Sequence, residues 1–384
     1  MKAKKDKKPE KANKAKGSWL KKLLLALMIL AVLAAAVYIV LDLVSGDETV
    51  GEFINGALSS EMVRTEKFVF DAYSDNIFEE LGGGLVAVST SAYQVFDSSG
   101  ELVGRGTKAF GAPAADSGPA GAVLWSQGGT DMLLAAADGS AIAIDSEEAI
   151  ISAAINDNGY VAVSTEESGY KGLVTVYNIA GEDIYKWYSG EGYLMDAAVN
   201  HSDTGMAALT VSGSGSRLVA YTFGSADVQG AYNEPETIYF DMDYIAENRI
   251  CAVSENKAVF VNGKCEYNSE YSFDGWYLRN YSLDGNGYAV FVLNKYRSGG
   301  ETMIVSVGSD GSVKGSVSTF AEVRGISVRG RYIAITCADE MTLYDSELIE
   351  VGSIKDTAGV EKALACADGK LIAVSANGAV EYDF

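Results

Sequence analysis

Apolar and polar positions along this chain follow two patterns. Leu23–Leu41 is an unbroken apolar run, LLLALMILAVLAAAVYIVL, bounded by Lys21 and Lys22 on one side and Asp42 on the other. From residue 67 onward, short apolar or alternating segments of strand length are separated by Gly, Asn and Asp. The first pattern predicts a helix. At about 1.5 Å per residue it matches a hydrocarbon core of about 30 Å. The second predicts strands joined by tight turns, because Gly, Asn and Asp tolerate left-handed backbone.

The strand segments repeat. An apolar strand with a small central residue, a polar break and a second strand recur eight times. Examples are LVAVSTSAYQVFD (Leu85–Asp97), LLAAADGSAIAID (Leu133–Asp145) and LIAVSANGAVEYD (Leu371–Asp383). Aligning the central positions Ala87, Ala135, Ala162, Ala208, Ala252, Val290, Ala334 and Ala373 gives steps of 48, 27, 46, 44, 38, 44 and 39. Only the step of 27 is out of line with the spacing of four-stranded propeller blades. Each hairpin is preceded by an element ending in a Gly turn, such as INDNGY (Ile155–Tyr160) or SLDGNGY (Ser282–Tyr288). After it comes a further strand, such as ELVGRGT (Glu101–Thr107), DIYKWY (Asp183–Tyr188) or ETIYFD (Glu236–Asp241). The expected fold is therefore an all-β propeller of eight blades, with seven as the alternative, preceded by one transmembrane helix. The last repeat runs out after three strands. An open edge is a liability, so the isolated strand 67–72 (KFVFDA) is expected to supply the fourth.

Composition agrees with strands and turns: 42 Gly, 22 Tyr and only 4 Pro, in a chain that is 48% hydrophobic. Charge divides the chain. Residues 1–22 hold ten Lys against two acids, a local +8, so the rest must carry −30 of the total −22. An acidic body repels phosphate backbones, which excludes nucleic acid as a partner. The apolar run exceeds the roughly 7–15 residues of a cleavable signal segment. The expectation is an uncleaved anchor over 23–44, interfacial contacts from Trp19, Lys21 and Lys22, and a Lys-rich cytoplasmic tail over 1–22. Residues 45–66 then read as a stalk, and 67–384 as an extracellular domain of a single-pass cell-membrane protein.

A basic tail, one span and a C-terminal propeller of AVS-containing hairpins resemble an uncharacterised family of single-pass membrane proteins from Gram-positive, clostridia-like bacteria. That resemblance implies no activity. AAADGSAIAID (Ala135–Asp145) is similar to the repeat of quinoprotein-like and WD40-like propellers and of outer-membrane assembly scaffolds of that fold. There an Asp near the end of the second strand precedes a Gly turn and a Trp. Here no Trp follows Asp145, and Trp187 follows a different repeat, at GEDIYKW (Gly181–Trp187). The resemblance supports the fold and argues against a quinone site.

Candidate chemistry is sparse. The sole histidine, His201, lies in the turn NHSDTG beside Ser202 and Asp203, and neighbours in one turn cannot form a converging relay. Cys251, Cys265, Cys337 and Cys366 lack zinc spacing. They read as buried small hydrophobes, with a Cys337–Cys366 disulfide left open. Asn156, Asp157, Asn158 and Asp284–Gly287 have calcium-loop residues without the full ligand set. Glu147–Glu148 and Glu166–Glu167 are adjacent acids of solvated turns rather than a facing glycosidase pair. No catalytic, cofactor-binding or metal-binding residue is assigned, and no cofactor is expected. Trp125, Trp187 and Trp276 are candidate recognition aromatics. These readings favour a binding or scaffolding module for envelope proteins or wall polymer over an enzyme. A carbohydrate-active hydrolase or lyase is the alternative, and would need carboxylates clustered at the central mouth. A transmembrane ligand sensor is the third reading.

Overall fold

The computed structural model describes residues 62–71 and 76–384. The expected tail, helix, most of the stalk, and Trp19, Lys21 and Lys22 lie outside those residues. Among the described residues, no helix is long and apolar enough to cross a membrane.

The described strands form eight four-stranded antiparallel sheets. In blades 1 to 7 the four strands follow one another in the chain, from the innermost outward. The innermost strands are Ile77–Leu81, Pro113–Ser117, Ile150–Ile155, Tyr193–Val199, Tyr239–Ala246, Tyr277–Gly285, Val323–Arg329 and Val360–Ala365. This is an eight-bladed propeller. The second strand of each blade is packed on both faces, so it is mostly apolar rather than alternating. Gly84–Val88 and Val161–Thr165 are buried at every position. The outermost strands alternate, as in Asp183–Tyr188 and Val313–Thr319, because their outer parts meet water. The core divides into eight apolar clusters, one between each pair of adjoining blades.

Blade 8 has three strands from the C-terminus and a fourth, Val63–Val69, from the other end of the described chain. Its partners run from Val63↔Asp383 to Val69↔Gly378, with a bulge between Glu66 and Phe68. The closing strand thus begins before residue 67, and 63–66 are strand rather than stalk. Phe68 is 2% exposed and packs with Phe70, Phe78, Phe96 and Leu364 where blades 8 and 1 meet. Lys67 forms an ion pair with Glu381 across the closing strands.

Two sequence assignments need correction. Ala135 ends the third strand of blade 2, Asp131–Ala135, so the hairpin containing DGS joins the third and outermost strands. The second strand is Ala122–Ser126; its centre, Leu124, replaces the steps of 48 and 27 by 37 and 38. Likewise, Glu236–Asp241 runs into the innermost strand of blade 5, and the outermost strand of blade 4 is Val228–Glu234. At the DGS turn, Gly139 has φ +83°, and a Cβ there would lie 2.2 Å from the carbonyl oxygen of Val103 in blade 1. Glycine meets both the left-handed backbone and the close approach.

Candidate functional site

The innermost strands run alongside one another around a central channel. The connections between blades and the hairpins joining second to third strands fall on one face. The first-to-second and third-to-fourth turns fall on the opposite face. A cavity of 610 Å³ opens on the first face, lined by Asp116, Ser152, Asp196, Asp241, Asp243, Tyr281 and Asp284, with Trp125 and Phe240. Five of these are carboxyl groups, contributed by the innermost strands of blades 2, 4, 5 and 6.

Burial sets their chemistry. Asp196 Oδ1 accepts hydrogen bonds from Ser152 Oγ at 2.8 Å and from the Ala197 amide at 2.9 Å, and its Oδ2 accepts one from the Met242 amide at 3.2 Å. Asp241 stands beside it and its Oδ2 accepts the Tyr281 hydroxyl. Desolvation, and then the charge of Asp241, push Asp196 well above the usual carboxylate range. Asp116 accepts the Ile155 and Ser117 amides, each at 2.8 Å. Desolvation and Asp284 raise it to about 8 against the opposing Ile155 hydrogen bond, with Glu79 adding to the rise and Arg329 reducing it. Asp243 is raised by desolvation and by Asp116 and Asp284, and its side chain accepts only the amide of Tyr244 among the described residues.

Cations stand toward the other face. Arg329, at the end of blade 7's innermost strand, reaches across the channel to blades 1 and 2. Its Nε lies 2.8 Å from Glu80 Oε2, while Nη2 donates to Ser117 Oγ at 2.6 Å and Nη1 to the Ser117 carbonyl at 2.8 Å. Burial alone would lower Arg329, but Glu80, Asp284, Glu79 and Asp116 hold it above its ordinary value. Lys362 joins blade 8 to blade 1 through the Phe78 carbonyl at 2.9 Å and Glu79 at 3.0 Å.

A smaller cavity of 210 Å³ on this second face is lined by Asn156, Asp157, His201 and Arg329. Here the turn residues act as a clasp. Asn156 Oδ1 accepts the amides of Asn158 and Tyr160. Its Nδ2 donates to the Asn200 carbonyl and Asp203, and Asn158 Nδ2 donates to the His201 carbonyl and Asp203. His201 Nε2 donates to the Tyr244 carbonyl at 2.8 Å, and Nδ1 lies 3.4 Å from Asp157. The histidine is therefore a half-buried brace across blades 3, 4 and 5, not a freely solvated one. It lies on the face opposite Ser152, so no imidazole activates that hydroxyl.

The three candidate aromatics do not converge. Trp125 is 9% exposed, packs between blades 2 and 3, and only borders the central cavity. Trp187 lies on an outermost strand, its ring 5.3 Å from that of Tyr221. Trp276 is half-buried beneath Lys295, whose Nζ is 4.4 Å from the ring centroid. The four cysteines are free. Glu147, Glu148 and Glu166 are exposed. Among the described residues, no group of three or more His, Cys, Asp or Glu is arranged to hold a metal ion.

A family model described as "Family of unknown function (DUF5711)" matches residues 59–379. The chain belongs to that family. No curated protein matches it. Among solved structures, this DUF5711 chain is similar to BamB from Moraxella catarrhalis, with a TM-score of 0.52 and 13% identity, over 84% of this chain and 98% of that one. It is also similar to the C-terminal WD40 domain of Sif2, with a TM-score of 0.57 and 11% identity, over 83% and 98%. At such identities the likeness is one of fold.

Proposed function

We propose that this DUF5711 protein is a membrane-tethered scaffold that binds another protein of the cell envelope through the first face of the propeller. The observation that carries this reading is the relief of that face. The central cavity of 610 Å³ opens there, as do cavities of 370 and 360 Å³ beside the long second-to-third hairpins of blades 6 and 4. Rigid blades beneath variable loops suit recognition. The carboxyl lining favours a Lys or Arg side chain of the partner in the central cavity. The apolar run Leu23–Leu41, with the Lys-rich segment before it, supports a tether that leaves the propeller outside.

The test is capture from solubilised envelopes by the full-length chain. A partner lost when the hairpin tips at 212–215 and 296–299 are replaced, and kept when second-face turns are replaced, supports the scaffold. A partner indifferent to the first-face change overturns it. Protease added to intact cells should degrade the propeller; protection would overturn its outward placement.

The clustered carboxyl groups favour a second reading, a hydrolase acting on envelope carbohydrate. Turnover of isolated wall polymer that is lost in Asp241→Asn would establish it. Binding without turnover would leave the polymer as a ligand.

A further inference from the structure

Blade 6 together with the innermost strand of blade 7 reverses the charge of the domain around it. Residues 277–331 contain seven Lys or Arg and four Asp or Glu, within a body whose net charge is strongly negative. Part of this charge surrounds the 370 Å³ cavity between the hairpin of blade 6 and the connection to blade 7. Arg279, Arg297, Asn294, Thr302, Phe320 and Glu322 line it.

Its donors are largely unspent, and one of its two arginines is held in place. The hairpin cations sit over adjacent aromatics: Lys295 over Trp276 at 4.4 Å and Arg297 over Tyr277 at 5.1 Å. Such contacts reduce the freedom lost on binding. Arg297 donates once, to Glu255 at 2.9 Å, in an exposed pair that contributes little by itself. Arg279 is exposed and has no hydrogen bond or ion pair among the described residues. Asn294 accepts from Thr302, which leaves its amide nitrogen free to donate. Beside these donors, Phe320 is 86% exposed and Tyr296 62% exposed. No apolar side chain of the described residues is more exposed than Phe320 among the large ones.

We propose that this pocket binds an acidic segment of a partner protein, with a carboxylate taken by Arg279 and Arg297 and a neighbouring apolar side chain laid on Phe320. Arginine forks match carboxylates, and the exposed aromatic requires an apolar group that a bare anion lacks. A densely charged polymer fits less well, because Glu322 and Glu255 stand at the pocket and the surrounding body repels it. The site depends neither on the tether nor on what fills the central cavity.

The experiment uses the full-length chain in nanodiscs of uncharged lipid. It is presented with an array of octapeptides combining Asp or Glu with Phe, Tyr or Leu at every spacing, a matched array carrying Asn or Gln, and inorganic polyphosphate. The expected result is binding by a subset of acidic–apolar peptides. Their affinity should fall about tenfold or more in Arg279→Gln/Arg297→Gln and in Phe320→Ser. Hydrogen exchange over 294–302 should slow when they bind. The Lys-rich tail is the same in every variant and cancels from the comparison. Equal binding by the matched array, binding unchanged in the variants, or no binding above background overturns the proposal. Polyphosphate protecting 294–302 more strongly than any peptide would replace the peptide by a polyanion. Failure here with the first-face requirement of partner capture intact would remove this pocket and leave the scaffold.

Discussion

Asp243 shows what a single buried carboxyl costs this fold. Asp284 on the adjoining blade 6 and Asp116 on the far side of the channel bear on it, and no cation is paired with it among the described residues. Because its folded-state pKa lies above the ordinary value, the folded state holds the proton more tightly than the unfolded one. The charged form therefore destabilises the fold increasingly as pH rises above the ordinary carboxylate value, and the effect vanishes below it. Asp243→Asn keeps an oxygen for the Tyr244 amide and presents an NH₂ to the opposing acids. We expect it to stabilise the protein at pH 8 by on the order of 1–3 kcal/mol, measured by urea unfolding, and to change nothing at pH 3.5. Equal stability of the two proteins at pH 8 would refute this account. The carboxyl cluster was not legible as a cluster in the sequence. Acids adjacent in sequence, such as Glu147 and Glu148, end on solvated turns, whereas Asp116, Asp196, Asp243 and Asp284 meet only because the ring brings distant strands together. The trace they leave is one acid, or two at alternate positions, within an otherwise apolar strand, as in Tyr193–Val199 and Tyr239–Ala246.

Among the elements, the closing strand carries the most consequence. It joins the two ends of the ring through one row of backbone pairs and through Phe68. Removing a fully buried Phe side chain typically costs about 3–5 kcal/mol, so Phe68→Ala should lower stability by that amount. Val69→Ala, at an 82% exposed neighbour, should have almost no effect. Hydrogen exchange should quicken first at 63–69 and 378–383, with blades 3 to 6 still protected. Uniform exchange would mean that the ring unfolds as one unit rather than opening at its seam. This strand could be inferred before the structure because a three-stranded final blade leaves an exposed edge. The blade count was legible for a related reason: second strands packed on both faces must be short and apolar. Blade 2 misled because its Asp-Gly turn lies between the third and outermost strands. Its second strand, Ala122–Ser126, ends instead in the Gly128–Gly129 turn, which breaks the alignment with the other repeats. Alternation alone does not tell the two hairpins of a blade apart.

For the propeller as a whole, the channel acids and the surface acids give different dependences on salt. Asp116, Asp196 and Asp243 are all raised, chiefly by desolvation. Lowering the pH from 8 to 5.5 should therefore stabilise the folded domain, since the unfolded carboxyl groups remain ionised over that range. Repulsion among the exposed acids of this strongly negative body would give a trend of the same sign. Exposed charges are screened at molar salt, where the Debye length is about 3 Å, while groups enclosed by the blades are screened far less. The melting temperature should accordingly rise between pH 8 and pH 5.5 in both 0.1 M and 1 M sodium chloride, with a shallower slope for Asp243→Asn in each. A slope that disappears at 1 M would assign the effect to the outer surface. A slope that survives salt and flattens in the variant would place it in the channel, where a partner's cation would offset the same repulsion and bind more tightly as pH rises.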